Sequence, residues 1–185
     1  MANRVKFGLN NVWYSKITMD GNTYSYGTPV ALQGTVRLAL SPIGDASTFY
    51  ADNITYFMQT ANNGYEGELE LALLPETFKT DILGMTADTN GALVEASDDT
   101  ISHFALGFEI QGDDKARRTW LYDCIPTRPN GDASTKEATI EPQTDTLPIT
   151  CIPRTSDHKT KVSMVENSTN TTAFNSFFSQ VYEAQ

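Results

Sequence analysis

The sequence predicts a mainly β domain in which two antiparallel sheets pack together as a sandwich or barrel-like fold, with one short internal helix and a C-terminal helix. Apolar and polar residues alternate over several stretches, turn-forming residues separate these stretches, and only two places show the spacing of an amphipathic helix. The chain has 185 residues without an internal repeat or a low-complexity linker. Residues 1–185 are therefore expected to form a single domain.

The first 40 residues predict a hairpin and a further strand. Apolar and polar residues alternate over 4–18, and a change of phase near Asn10 indicates a bulge or bend. The Asp20-Gly21 pair is a strong hairpin-turn signal. Residues 30–40 alternate again, and their apolar side chains are expected to share one face: Leu32, Val36, Leu38 and Leu40.

Residues 45–84 are predicted to form a segment rich in aromatic residues, which we call the aromatic excursion, followed by a strand and a helix. Residues 45–63 carry large apolar side chains without turn punctuation, so we expect either a hairpin or a long arm that packs on a neighbour. In the next strand leucines and glutamates fall on opposite faces. Pro75 suits the start of a helix, and Gly84 suits its end. The core face holds Leu69, Leu71 and Leu73, the wet face holds Glu66, Glu68 and Glu70, and the helical stripe holds Phe78, Ile82 and Leu83.

The second half predicts a long hairpin, an irregular strand and a helix. Residues 104–125 alternate on both sides of a turn at 112–115. Residues 139–152 are extended, but their prolines remove ladder donors, which predicts either an edge strand or irregular pairing. An exposed edge of this kind is able to pair with another chain. After a cap at Thr171 or Thr172, helical spacing continues to the end and leaves large side chains that need a cover: Phe174, Phe177, Phe178, Val181 and Tyr182.

Composition argues against several function classes. The net charge of −10 disfavours DNA as a bound ligand, because an acidic surface repels phosphates. No run approaches the roughly 20 apolar residues of a membrane helix, and the N-terminus lacks a signal peptide, so we expect a soluble protein in a reducing cytoplasm. Cys124 and Cys151 are then buried thiols, although the even count leaves a disulfide open.

No motif predicts a catalytic, cofactor or metal site. Alternate glutamates on a strand lie about 7 Å apart, which is close to the carboxylate separation in glycoside hydrolases, but a solvated sheet face explains them as well. The stretch Asp88–Gly91 departs from a calcium loop, and His103 and His158 have no metal spacing. Arg117-Arg118 is interpreted as cross-strand charge pairing near a hairpin tip.

Five segments together carry a family resemblance: ANRVKFGLNNVWYSKIT, YGTPVALQG, FYADNITYFMQTANNGYEGELELALLP, FALGFEIQGDDKARRTWLYDC and KEATIEPQTDTLPITCIPR. In this order they cover nearly the whole chain, which resembles the major tail protein, or tail tube protein, of long-tailed bacteriophages with non-contractile tails. The resemblance implies two packed β-sheets with a helix alongside, and sixfold rings that stack into the tube through which the genome leaves. It brings no active site and no cofactor.

The resemblance also implies partners and a location. The partners are further copies of the chain and other tail proteins, namely the tape measure, tail tip and terminator proteins, with DNA only as passing cargo and no membrane. The protein would be assembled in the host bacterial cytoplasm and reside in the virion tail. A β-sandwich binding or decoration module and a carbohydrate-active hydrolase are the alternative functions.

Two sets of residues follow as hypotheses. An acidic lumen would let DNA slide by repelling its phosphates, and the polar faces of two core strands supply the candidate lumen residues Glu66, Glu68, Glu70 and Glu109. The high aromatic content of residues 45–63 and of the C-terminal segment suggests that both make contacts between subunits. The candidate interface residues are Phe49, Tyr50, Tyr56, Phe57, Phe174, Phe177, Phe178 and Tyr182.

Overall fold

The computed structural model describes residues 4–131, 133, 135 and 142–184 of the protein. This part of the chain is mainly β, which confirms the predicted fold class with its short internal helix and a second helix near the C-terminus. The helices are α1 (Glu76–Asp81) and α2 (Thr171–Asn175). The strands are β1 (Lys6–Asp20), β2 (Thr23–Tyr26), β3 (Val30–Ala31), β4 (Thr35–Pro42), β5 (Ala46–Ala51), β6 (Ile54–Thr60), β7 (Tyr65–Leu71), β8 (Thr86–Ala87), β9 (Leu93–Val94), β10 (Phe104–Gly112), β11 (Arg117–Pro126), β12 (Asp145–Cys151) and β13 (Lys161–Val165).

Nine of these strands form one antiparallel sheet, in the order β2-β1-β10-β11-β12-β7-β4, with β3 paired to β1 and β13 paired to β11. The two predicted layers are thus parts of a single hydrogen-bonded sheet. The sheet curls until β4 approaches β1, but no ladder joins these two strands in the described chain. The result is a barrel-like wrap that is not closed.

Helix α1 packs against the inner face of the sheet at one end of this wrap. Phe78 is fully buried and makes edge contacts with the rings of Tyr14 and Phe104, at 5.0 and 5.3 Å between centroids. The hydroxyl of Tyr14 donates to the Asp81 carboxylate at 2.9 Å, and burial raises the pKa of Tyr14 to about 12. The helix begins after Pro75, as predicted. The core around it is built by the inner sides of the long strands, including Leu69, Leu71, Leu106, Leu121, Leu147 and Ile149.

A second apolar cluster lies on the outside of the sheet. Trp120 and Tyr122 point outward from β11 and are covered by Phe177, Phe178 and Val181 of the C-terminal segment. Helix α2 is shorter than predicted and gives way to turns. The Trp120 indole donates to the Phe177 carbonyl at 2.8 Å, and Arg118 donates to the Phe174 carbonyl. A longer helix would use these two carbonyls for its own backbone hydrogen bonds.

The turn and bulge predictions near the N-terminus are confirmed. The register between β1 and β10 shifts between Asn10 and Trp13, where Asn11 has a positive φ of 47°. Asp20 pairs with Thr23 across a two-residue turn that contains Gly21. Glycine suits this position because its φ of 58° is left-handed.

Three predictions about strand positions need correction. β12 lies between β11 and β7, so of the two alternatives the edge strand is wrong, and the pairing with β11 is irregular because it covers only residues 149–151. The carbonyl of Pro148 faces β11 and accepts a hydrogen bond from the backbone amide of Thr127, which follows the end of that strand. The nitrogen of Pro148 faces the same side, where β11 has already ended, so its missing N–H breaks no ladder hydrogen bond. Val36 is exposed because the register of β4 shifts between Thr35 and Arg37, and Leu73 is exposed because it follows the end of β7. The predicted residues 139–141 lie outside the described chain.

Candidate functional site

An acidic row runs along the outer face of β7. Glu66 and Glu68 are exposed, and Glu70 is half-buried and accepts a hydrogen bond from Thr144 at 2.8 Å. β7 is held on both sides, by β12 and β4, so the backbone fixes the spacing of the row at about 7 Å. The cross-strand partners of Glu66 and Glu68 are uncharged, namely Thr150, Ser41, Pro148 and Ala39.

Glu109 does not belong to this row. It is only 6% exposed, and Arg118 on β11 donates to its carboxylate at 2.7 Å. Asn11 also donates to this carboxylate, at 3.3 Å. The Arg118 guanidinium lies 4.2 Å from the ring centroid of Phe174, so the C-terminal segment covers the pair. This burial and charge pairing contradict the prediction of Glu109 as an exposed lumen carboxylate, and the cross-strand pairing predicted for Arg118 is made with Glu109.

The aromatic excursion forms a hairpin that stands apart from the sheet. Strands β5 and β6 pair only with each other among the described strands. Asp52 and Asn53 form a two-residue turn with φ values of 52° and 61°, which is the type I′ geometry that matches strand twist. The hairpin among the two alternatives of the sequence analysis is therefore confirmed, and its packing on a neighbour stays a prediction. We call this element the arm (residues 45–62).

Both faces of the arm are apolar. Phe49 pairs with Phe57 on one face, and Thr48 pairs with Met58 on the other, while a register shift follows Phe49. The six large apolar side chains are between 56% and 72% exposed. An isolated hairpin is marginally stable in water, and exposed apolar patches mark interaction sites. The six are Phe49, Tyr50, Ile54, Tyr56, Phe57 and Met58.

The four C-terminal candidates for the subunit interface lie in a different environment. Phe174, Phe177 and Phe178 are buried within their own chain, and Tyr182 stacks on Phe177 at 5.3 Å. Trp120 and the other residues of the outer cluster pack against these aromatic side chains. The reason for assigning them to an interface therefore no longer applies.

The open end of the wrap contains a cleft that the sequence analysis missed. Its volume is about 480 Å³, and its floor includes Phe108 and Leu121, which are buried. Four cations line it, from three strands and the segment before β1: Arg4, Lys6, Arg117 and Lys161. Arg4 and Lys6 are distant in sequence from Arg117 and Lys161, so only the sheet topology brings the two ends of the chain and β11 together.

His103 and the two cysteines occupy structural positions. Nδ1 of His103 lies 2.6 Å from the buried carboxylate of Asp123, which also accepts a hydrogen bond from Tyr24. Cys124 and Cys151 are free, buried and directly opposite each other in the ladder between β11 and β12. Burial raises the pKa of the Cys124 thiol well above its ordinary value, which disfavours the reactive thiolate. The described residues contain no cluster of three potential metal ligands among His, Cys, Asp and Glu.

Comparisons with known proteins show a likeness in structure but not in sequence. No protein-family model matches the chain, and no curated protein is significantly similar to it. Among solved structures, it is similar to a chain in the cryo-EM structure of the anti-feeding prophage baseplate, sixfold symmetrised. The TM-score is 0.44 with 10% identity over 83% of this chain and 92% of that chain. A likeness at this level says nothing about function. Within the described residues, no helix is both long and apolar enough to cross a bilayer.

Proposed function

We propose that the protein is a structural component of a phage or prophage virion that assembles with copies of itself into the stacked rings of a tail tube. The observation that carries this proposal is the arm, whose two apolar faces have no cover in the single chain. A contiguous exposed apolar face of this kind marks a site where another surface packs. Two such faces suit an element that lies between neighbouring subunits.

The energetics fit self-association. Burying a large apolar side chain contributes roughly 1.5 to 3 kcal/mol, so six contribute on the order of 10 kcal/mol. Association costs roughly 4 to 15 kcal/mol in lost translational and rotational freedom. The arm alone therefore offsets much of this cost, and the free energy of assembly depends on the remaining contacts.

The resemblance of five sequence segments to tail tube proteins supports the tube as the form of assembly, with sixfold rings. The acidic row fits the lumen of such a tube, because six copies of a chain with net charge −10 surround passing DNA with repulsive charge. Glu66, Glu68 and Glu70 are the proposed lumen residues. The tape measure, tail tip and terminator proteins are the proposed further partners, assembly would take place in the host bacterial cytoplasm, and the final location would be the virion tail.

Negative-stain electron microscopy over a concentration series, with light scattering on the same samples, tests the proposal. We expect rings or hollow tubes above a threshold concentration. Strict monomers at every concentration, also in the presence of a tail-tip nucleus, would contradict self-assembly and favour a binding or decoration module. A hydrolase is disfavoured because Glu66 and Glu68 are exposed, whereas the acid of such an enzyme typically lies in an apolar pocket.

The lumen assignment predicts a change in DNA handling. Replacing Glu66 and Glu68 with lysine is expected to make assembled tubes retain double-stranded DNA in co-sedimentation, with a retention that falls steeply as salt rises. Wild-type tubes are expected to retain none. The control variant replaces Asp20 and Asp98, two exposed acids on other elements, with lysine and makes the same change in charge. Equal retention by both variants would show that overall charge, and not the row on β7, governs DNA passage.

A further inference from the structure

We infer that the cleft at the open end of the wrap receives the arm tip of a second copy of the chain. This inference rests on the proposed self-assembly and names the two surfaces that meet. The tip is the segment 51–54, and the cleft is the cation-lined cavity between the starts of β1, β11 and β13 and the junction of β4 with β7.

The cleft is amphipathic. Phe108 and Leu121 are buried in its floor, and Ile110 and Leu40 extend the apolar lining. A second cavity of about 450 Å³ shares Lys6, Leu40, Phe108 and Ile110 with it and continues along the gap between β1 and β4. The cleft volume of about 480 Å³ lies within the range of sites that bind small ligands. It is large enough for the side chains of a hairpin tip but not for a whole hairpin.

The charge of the cleft is opposite to that of the chain. Four of the 13 lysines and arginines line it, although the chain has a net charge of −10. The described lining residues include no carboxylate. The neighbouring Asp113 accepts a hydrogen bond from the backbone amide of Arg4 at 2.8 Å. Lys161 donates to the hydroxyl of Tyr65 at 2.6 Å and lies 4.4 Å from the centroid of its ring. A segment that is both acidic and apolar fits this site.

The arm has this chemistry. Residues 45–62 contain two carboxylates, Asp45 and Asp52, and no lysine or arginine. Asp52 occupies the turn itself, next to the exposed side chains of Tyr50 and Ile54. The type I′ turn matches the twist of the two strands and so favours this conformation of the tip. The tip can therefore place its carboxylate among the rim cations and its apolar side chains on the floor.

A second copy is the better partner than the arm's own cleft. The arm leaves the sheet at the junction of β4 and β7, and Leu40 and Tyr65 from these strands line the cleft. The six-residue strand β5 extends about 20 Å from that junction. Its tip would have to fold back over its own base to enter its own cleft. The hairpin can reach the cleft of a neighbouring copy without folding back.

Charge reversal on each side of the contact tests the inference. We expect Asp52→Lys to raise the concentration needed for assembly by roughly tenfold or more, because it places like charges together. The double variant Arg117→Glu plus Lys161→Glu is expected to do the same. An equimolar mixture of the two variants should assemble at close to the wild-type concentration, because every reversed tip then meets a reversed cleft. The triple variant should assemble alone.

Matched controls make the same charge changes elsewhere. Asp98→Lys controls for the tip, and Lys16→Glu plus Arg37→Glu controls for the cleft, since all three side chains are exposed and lie outside both surfaces. The controls should assemble like the wild type. Circular dichroism melts confirm that every variant is folded.

The outcomes separate this inference from the proposed function. If the wild type assembles and the mixture does not recover, the tip and the cleft do not meet, while self-assembly stands. If the wild type does not assemble even with a tail-tip nucleus, the proposed function fails and the inference fails with it. Recovery in the mixture together with loss in each single variant supports both.

Discussion

Deleting residues 173–185 is expected to abolish the cooperative folding of the whole domain. The deletion removes the cover from Trp120 and Tyr122, because Phe174, Phe177, Phe178 and Val181 are buried against the sheet. Four such side chains contribute roughly 6 to 12 kcal/mol, which is comparable to the total stability of roughly 5 to 15 kcal/mol of a typical domain. The measurement is a thermal melt followed by circular dichroism, with a dye that reports exposed apolar surface.

A shorter truncation serves as the control. Ending the chain after Tyr182 keeps the four buried side chains and removes Glu183, whose carboxylate lies 3.4 Å from Arg154 and is half-exposed. Arg154 keeps its ion pair with Asp157 and its hydrogen bond to Tyr26, so this variant should melt close to the wild type. A folded, cooperative 173–185 deletion would show that the C-terminal segment is an appendage and not part of the core.

Replacing Phe49, Tyr56 and Phe57 with serine is expected to abolish assembly while leaving a folded monomer. All three side chains are exposed in the single chain, so their loss removes little buried area from the monomer but much of the apolar surface of the arm. We expect light scattering to report monomer over the whole concentration range in which the wild type forms rings or tubes. The melting temperature should remain close to that of the wild type.

The matched control replaces three exposed apolar side chains outside the arm, Met19, Leu73 and Val94, with serine. It lowers surface hydrophobicity by a similar amount and should still assemble. Loss of assembly in both variants would indicate a general effect of surface polarity. Normal tubes from the arm variant would remove the observation on which the proposed function rests.

Local sequence patterns predicted much of the fold because they depend on neighbouring residues. Alternation placed Leu69, Leu71 and Phe104 in the core, and the Asp20-Gly21 pair predicted the first hairpin. The same patterns failed where a register shift changed the face, as at Val36. The prolines left an edge strand and irregular pairing open, because the choice between them depends on where the adjacent strand β11 ends.

The candidate sites depended more on contacts between distant residues. Alternation correctly placed Glu109 on the face opposite the core, but the cover over that face comes from Phe174, 65 positions later in the chain. Phe177 appeared to need a partner subunit because its own partner, Trp120, lies on a strand far away in sequence. The cleft had no local signal at all. The arm was predicted because its composition is unusual over a single short segment.

The described part of each protomer carries one arm and one cleft as separate surfaces, so the proposed contact between them is head-to-tail. A head-to-tail contact makes either open strings or closed rings. An open string of any length leaves one arm and one cleft unused, at opposite ends. Closing the string joins these two without recruiting another molecule, so it adds a contact at a high effective concentration. A closed ring therefore saturates all of its arms, and any further growth must use surfaces other than the arm and the cleft.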